Sequence, residues 1–413
     1  MINYQRFFLT NGLTVIHHHD PNTKLCVLNI LYKVGSKNEL PNKTGFAHLF
    51  EHLMFGGSVN ISDYDDELQK AGGENNAFTS NDITNYYLTL PQQNIETGFW
   101  LESDRMLSLD FSEQSLDVQR NVVIEEFKER YLNQPYGDIW LKLLPLAYKI
   151  HPYNWPTIGK EISHIESASL DDVKNFFFSF YAPNNAILVV AGNIDLEQTK
   201  ALCQKWFAEI PSREVRKPDY EQEPKQTEAR FLSIEADVPL HAIVKAYHMP
   251  ARMENGYYES DLLSDILGSG RSAILYQELV KNQRLFSELD CYITGDIDRG
   301  LFVIEGKLMK NITHEKANEE IEKTLRLALE SIEEKDLQKV KNKTETTIRF
   351  NEVNVLNRAM KLAYCEMLGD IDLANSEADQ YLKVNLQTLK AMGKDMLRAE
   401  NCSTLFYISK NAK

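Results

Sequence analysis

His48, Glu51 and His52 form the pattern H-x-x-E-H inside the stretch Gly45-Phe-Ala-His-Leu-Phe-Glu-His-Leu-Met-Phe55. On an α-helix, residues three and four apart share a face, so two imidazoles and a carboxylate would open into one small volume. The residues around them, Phe46, Leu49, Phe50, Leu53, Met54 and Phe55, are apolar and predict a largely buried helix. Polar groups on a buried helix need partners. A divalent metal is the simplest partner for the two histidines. Zinc accepts imidazole nitrogens and a carboxylate oxygen in a four-coordinate site. The ordinary alternative is a pair of helix histidines hydrogen-bonded to their neighbours. A catalytic metal requires a third ligand further along the chain and a substrate site beside it.

The third ligand has candidates in a helical stretch that starts near Ser112 and carries Val122, Val123, Ile124, Glu125, Glu126, Phe127 and Glu129. Val122, Val123 and Glu126 share a face, which predicts that Glu126 looks inward with the valines. Glu125 and Glu129 are i, i+4 neighbours on the adjoining side. Position alone leaves the three acids open. A substrate site has a candidate in Gly72-Gly73-Glu74-Asn75-Asn76-Ala77-Phe78-Thr79, which leads into a strand ending at Pro91. Glycines followed by small and polar residues can leave room for another backbone, and an extended peptide can add to this strand if it lies at a sheet edge. A plain turn entering an ordinary strand is the competing reading.

The remaining elements must position these groups. Asn11-Gly12 predicts a hairpin over residues 5–19, which closes on His17, His18 and His19. Neighbouring strand residues point to opposite faces, so the three histidines are read as a solvated strand end rather than a metal site. Residues 24–34 read as a strand, Asp63–Lys70 and 92–108 as helices, Ser169–Phe180 as a helix, and Ala186–Ala191 as an apolar strand of a sheet interior. Residues 211–228 contain three prolines and many charges, and read as a linker. Beyond it the order recurs. Strands are expected at Phe231–Ala236, Ala242–Tyr247, Glu288–Thr294, Leu301–Leu308 and Ser403–Ile408. Helices are expected near Tyr257–Leu267, over Glu315–Met367 and over Val384–Arg398. The expected class is therefore α+β, with two related domains, each a mostly antiparallel sheet flanked by helices. The expected division is 1–210, a linker at 211–228, and 229–413. The second copy reads Glu259-Ser-Asp-Leu-Leu-Ser-Asp-Ile where the first has its H-x-x-E-H, so only the first half is expected to hold metal.

The 413 residues suffice for two domains, and 43% hydrophobic with 25% charged residues is a globular balance. A net charge of −15 argues against a nucleic-acid partner and is compatible with cationic peptide substrates. No apolar run reaches the length of a membrane span, and no signal peptide is visible at Met-Ile-Asn-Tyr-Gln-Arg. The five scattered cysteines suit buried thiols in a reducing compartment. A cytoplasmic location is expected, or a periplasmic one if a signal peptide has been removed.

The combination resembles the inverzincin zinc metallopeptidases, the family of pitrilysin, insulin-degrading enzyme and mitochondrial processing peptidase, in its short two-domain bacterial type. The matching residues are His48-Leu-Phe-Glu51-His52, Arg120-Asn-Val-Val-Ile-Glu-Glu126, and Gly72-Gly73-Glu-Asn-Asn76-Ala77-Phe78-Thr79. Tyr181-Ala-Pro183-Asn184 and Leu267-Gly-Ser-Gly270 are weaker matches. The resemblance implies His48, His52 and Glu126 as ligands of one zinc ion per chain, Glu51 as the catalytic base, and Asn76 to Thr79 as substrate-binding. It implies a zinc-dependent endopeptidase that hydrolyses peptides or unfolded segments inside a closed chamber. The chain departs from the family where the second domain usually offers substrate-gripping Arg and Tyr residues. Those positions hold Ile274 and Ser287. The expectation that follows is the zinc-bearing subunit of a heterodimer, with a homologous partner supplying Arg and Tyr. The alternatives are a self-sufficient homodimeric peptidase and a non-catalytic core-type assembly subunit.

Overall fold

The computed structural model describes residues 1–217 and 220–410. Its contacts group the chain into two compact units, one of Met1–Glu129, Trp155–Asp219 and Arg349–Ser376, the other of Arg130–Asn154, Tyr220–Ile348 and Glu377–Lys413.

The first unit is built on strands β1 (Gln5–Phe8), β2 (Thr14–His19), β3 (Leu25–Tyr32), β4 (Glu74–Thr79), β5 (Thr84–Pro91) and β6 (Ala186–Gly192). Their order across the sheet is β1-β2-β6-β3-β5-β4. Asn11-Gly12 makes the predicted turn between β1 and β2, with Gly12 at φ 88°. The apolar run at β6 is buried at every residue because it lies inside the sheet, parallel to β2 and antiparallel to β3. One face of the sheet is covered by the helix Val355–Met367, whose Ala359, Leu362 and Ala363 pack with Ile16, Val27, Leu31, Ile187, Val189 and Ala191. Four further helices carry or brace the site: α1 (Phe46–Leu53), α2 (Tyr64–Lys70), α3 (Ile95–Leu107) and α4 (Glu113–Phe127).

The second unit is built on β7 (Arg230–Ala236), β8 (Ala242–His248), β9 (Phe286–Ile293), β10 (Leu301–Leu308) and β11 (Cys402–Ser409), in the order β7-β11-β8-β10-β9. In β7-β11-β8-β10-β9 the first pair is parallel and the rest antiparallel, as they are in β2-β6-β3-β5-β4. The chain is thus an α+β protein of two similarly wired, mostly antiparallel sheets with helices packed on them. The expected linker has no regular structure over its described residues, yet Glu223 and Gln226 within it are buried. Glu223 accepts the backbone N–H groups of Lys149, Ile150 and His151.

The histidine tract differs from its reading as a solvated strand end. His17 and His18 are buried, and only His19 is exposed. The reason is long-range pairing: β2 lies between β1 and β6, so neither of its long edges faces solvent. His17 and His19 share a face, and both meet the Ile194 carbonyl, at 2.9 and 2.8 Å. His18 meets the Asn3 carbonyl. All five cysteines are buried free thiols. Among the described residues no helix is long and apolar enough to cross a membrane.

Candidate metal centre

Helix α1 begins where Gly45 takes a left-handed conformation, φ 91°. A Cβ there would lie 2.7 Å from the Ile158 carbonyl oxygen, so conformation and space both call for glycine. The helix then buries Phe46, Ala47, Leu49, Phe50 and Leu53. Phe50 stacks on Phe176 and Tyr181, and the Tyr86 hydroxyl donates to the Phe50 carbonyl. With that face committed to the core, the predicted helical spacing turns His48, Glu51 and His52 to the opposite, half-open side. The His48 and His52 rings sit edge-on, with centroids 4.9 Å apart.

Helix α4 starts at Ser112, whose hydroxyl accepts the Ser115 N–H. It packs beside α1 and buries Val123, Ile124 and Phe127. Of the three candidate acids, Glu126 is the one that reaches the histidines. Its Oε2 lies 3.7 Å from His48 Nε2 and 3.5 Å from His52 Nε2. Glu125 points away and pairs with Lys128, and Glu129 is exposed. Contrary to the expectation that both valines look inward with Glu126, Val123 is buried but Val122 is 45% exposed. Glu126 therefore lies at the border of the buried stripe, which is where a side chain can reach across to α1 without being sealed from solvent.

One ligand atom from each of His48, His52 and Glu126 lies within 4.8 Å of the others. A tetrahedral zinc ion with bonds of about 2.0–2.1 Å separates its ligand atoms by about 3.3 Å. Two imidazoles and one carboxylate are also a donor set that zinc accepts, leaving a fourth position open. The residues present therefore fit the ion.

Glu51 lies beside this cluster. Burial holds its pKa above the usual carboxylate value, opposed by the Thr79 hydroxyl and the nearby His52 and reinforced by the negative Glu126. The Thr79 Oγ1 donates to Glu51 Oε2 at 2.6 Å. Thr79 ends β4, which is the last strand of its sheet and pairs only with β5. Along β4, Glu74, Asn76 and Phe78 are exposed, while Asn75, Ala77 and Thr79 are half-buried. The edge position that a peptide would need is present. The glycines have another task. Gly72, at φ 72°, and Gly73 donate back to Gln69 and Leu68 and end α2. A Cβ on Gly73 would meet Leu68 at 2.5 Å. They make a turn rather than a space for a second backbone.

Two buried groups near the site have no counterpart in the motifs. Arg105 on α3 is fully buried, held by Glu102 at 2.5 and 2.8 Å. Its guanidinium lies 4.6 Å from the Tyr64 and Tyr86 ring centres and 5.2 Å from that of Phe55. Glu39 reaches the first turn of α1. A charged residue in an apolar helix pattern hints at the first; the missing cap side chain at Gly45 is the local hint to the second.

Residues 14–160 match the family model for insulinase, peptidase family M16, and residues 167–344 match that for the peptidase M16 inactive domain. The chain belongs to the M16 peptidase family, in its two-domain form. It is 30% identical to the zinc protease PqqE of Helicobacter pylori over 405 residues, which covers 96% of this chain and 91% of that one. It is 23% identical to the uncharacterized zinc protease YmxG of Bacillus subtilis, over 98% and 99% of the two chains. The crystal structure of a protease from Helicobacter pylori superposes with a TM-score of 0.93 at 29% identity, over 98% of this chain and 100% of that one. Both of these relatives are named zinc proteases, which supports zinc as the cofactor.

Proposed function

We propose that this chain is a zinc endopeptidase in which His48, His52 and Glu126 hold one zinc ion and Glu51 is the catalytic base. The observation that carries the reading is the approach of Glu126 on α4 to both histidines of α1, across separate elements. When bound, zinc acidifies water and polarises the scissile carbonyl. Glu51 takes the proton of the attacking water at its carboxylate and delivers it to the leaving amine. Thr79 holds the Glu51 carboxylate in place during both transfers. The substrate backbone adds to the open edge of β4, at Asn76, Ala77, Phe78 and Thr79, so that its carbonyl is carried past Glu51.

In sequence the zinc-bearing half is residues 1–210 and the metal-free repeat is residues 229–413, while Arg130–Asn154 groups with the second unit and Arg349–Ser376 with the first. In that repeat Ile274 packs against the core, and the Ser287 hydroxyl donates to the Lys307 carbonyl. Neither offers a cation or a phenol to a substrate. This favours a homologous partner that brings Arg and Tyr, making the active species a heterodimer that closes on unfolded peptides. The five buried thiols favour a reducing, cytoplasmic setting.

The test is zinc content by elemental analysis together with cleavage of a quenched, unfolded peptide. Glu51→Gln keeps zinc and loses turnover, whereas His48→Ala and His52→Ala lose both. Full zinc content in either histidine variant overturns the ligand assignment. Robust zinc-dependent cleavage by the purified chain alone overturns the heterodimer.

A further inference from the structure

Helix α1 is only eight residues long, and it lacks two things a metal-bearing helix of that length needs. Its N-cap is Gly45, which has no side chain to accept the first free N–H groups, and no acidic residue lies in its first turn. The N-terminal end of a helix carries a partial positive charge. His48 is the third residue of α1, so a divalent cation held there sits close to that positive end, and a negative charge placed at that end adds to what Glu126 already offers.

Glu39 supplies both missing parts from outside the helix. Its Oε1 accepts the Ala47 N–H at 2.8 Å and its Oε2 accepts the Gly45 N–H at 2.9 Å. The Trp155 indole Nε1 donates to the same Oε2 at 3.0 Å and to the Ser36 carbonyl at 3.2 Å. Both partners are themselves fixed. Glu39 is 6% exposed and Trp155 2%. The Lys160 ammonium caps the Trp155 ring at 4.4 Å, and the Lys160 N–H donates to the Thr44 hydroxyl at 2.8 Å. Burial raises the Glu39 pKa to about 8 even though the N–H groups of Ala47 and Gly45, the indole and the Phe46 N–H all oppose the rise by donating to the carboxylate. These neighbours all donate, and both oxygens accept. Oε2 already accepts from both Gly45 and Trp155, so a proton there would displace one of them, and this geometry favours the carboxylate.

We propose that Glu39 is a positioning residue for the metal centre: it fixes the first turn of α1 and offsets the helix charge beside His48, so that His48 binds the metal tightly. The inference rests on the zinc reading above. Glu39 does not touch the reacting atoms, and it acts through His48. Residues behind metal ligands are worth about 10- to 100-fold in metal affinity, and Glu39 is expected to lie in that range.

The experiment measures zinc affinity by competition with a chromophoric chelator, and the visible spectrum after cobalt substitution, for wild type, Glu39→Gln and Trp155→Phe. Glu39→Gln keeps the shape, removes the charge and turns an amide NH2 toward one of the donors. It is expected to weaken zinc about 10- to 100-fold and to shift or broaden the cobalt bands. Trp155→Phe removes one donor and leaves the charge, and is expected to weaken zinc in the same direction by less. A core variant, Val189→Ala, whose urea midpoint is measured beside that of Glu39→Gln, is expected to leave affinity and spectrum unchanged. Zinc affinity of Glu39→Gln within twofold of wild type overturns the proposal, as does an equal loss in Val189→Ala. Should Glu39→Gln not fold, an unchanged affinity and spectrum in Trp155→Phe overturns it. A wild-type protein that binds no zinc strikes at the metal reading itself, which separates the two failures.

Discussion

Thr79→Val removes the hydroxyl that holds the proposed base and keeps the branched shape of the side chain. The bond is 2.6 Å long and runs from a hydroxyl to a carboxylate. A hydrogen bond to a charged group is worth about 1.5–3 kcal/mol. If all of it acts in the transition state, kcat/KM falls about 10- to 150-fold. The Thr79 backbone N–H also reaches Glu51 and survives the change, which places the expected loss near the lower end, at about tenfold. The hydroxyl faces Glu51 and not the outer edge of β4, so the loss is expected in kcat with KM within twofold. Zinc content stays at the wild-type level because Thr79 touches none of the three ligands. The assay is steady-state cleavage of a quenched peptide by zinc-loaded protein, with its partner subunit if one is needed. Thr79→Ser restores most of the rate. In a Glu51→Gln background Thr79→Val costs less than twofold, since the group it serves is gone. A fully zinc-loaded Thr79→Val enzyme within twofold of wild type refutes the reasoning, as does an equal loss in the Glu51→Gln background.

Arg105→Met leaves Glu102 buried with only the Tyr64 hydroxyl for a partner, and is expected to cost about 3–5 kcal/mol of stability. Adding Glu102→Leu should recover more than half of that loss in urea unfolding, and a double variant as weak as the single one refutes the account. Burial holds the imidazoles of His17, His18, His248 and His314 below their usual pKa. They stay neutral in the folded chain while the unfolded chain takes up protons near pH 6.5, so stability is lost as pH falls through that value. Each contributes at most about 1.4 kcal/mol between pH 6.5 and 5.5. The urea midpoint of metal-free protein is expected to fall between pH 7.5 and 5.5, and His248→Gln should flatten the fall. A midpoint that does not change over this range contradicts the sign.

Local spacing was enough to place His48, Glu51 and His52 on one face of a helix, because a helix repeats every 3.6 residues whatever surrounds it. It was enough for the hairpin at Asn11-Gly12 and for the interior strand at Ala186–Ala191, where turn chemistry and an unbroken apolar run are written in consecutive residues. It could not choose among Glu125, Glu126 and Glu129. Three acids on one helix differ only in what faces them, and what faces Glu126 is a helix some seventy residues earlier.

Burial decided by distant pairing was equally out of reach. His17 and His18 read as a solvated end until β6, far along the chain, lies down beside β2 and closes its second edge. Val122 matches Val123 in type, and differs only because α1 and its neighbours cover one and not the other. The helix Val355–Met367 belongs by sequence to the second half, yet packs on the first sheet. Glu39 shows the same limit: its sequence neighbours, Asn38, Leu40 and Pro41, carry no pattern that marks it. Its role arises only where the turn before α1 folds back and aims its carboxylate at the N–H groups of Gly45 and Ala47. Periodicity along one segment reports which side chains share a face. Which face is buried, and which charge meets which, is set by segments that come together only when the chain has folded.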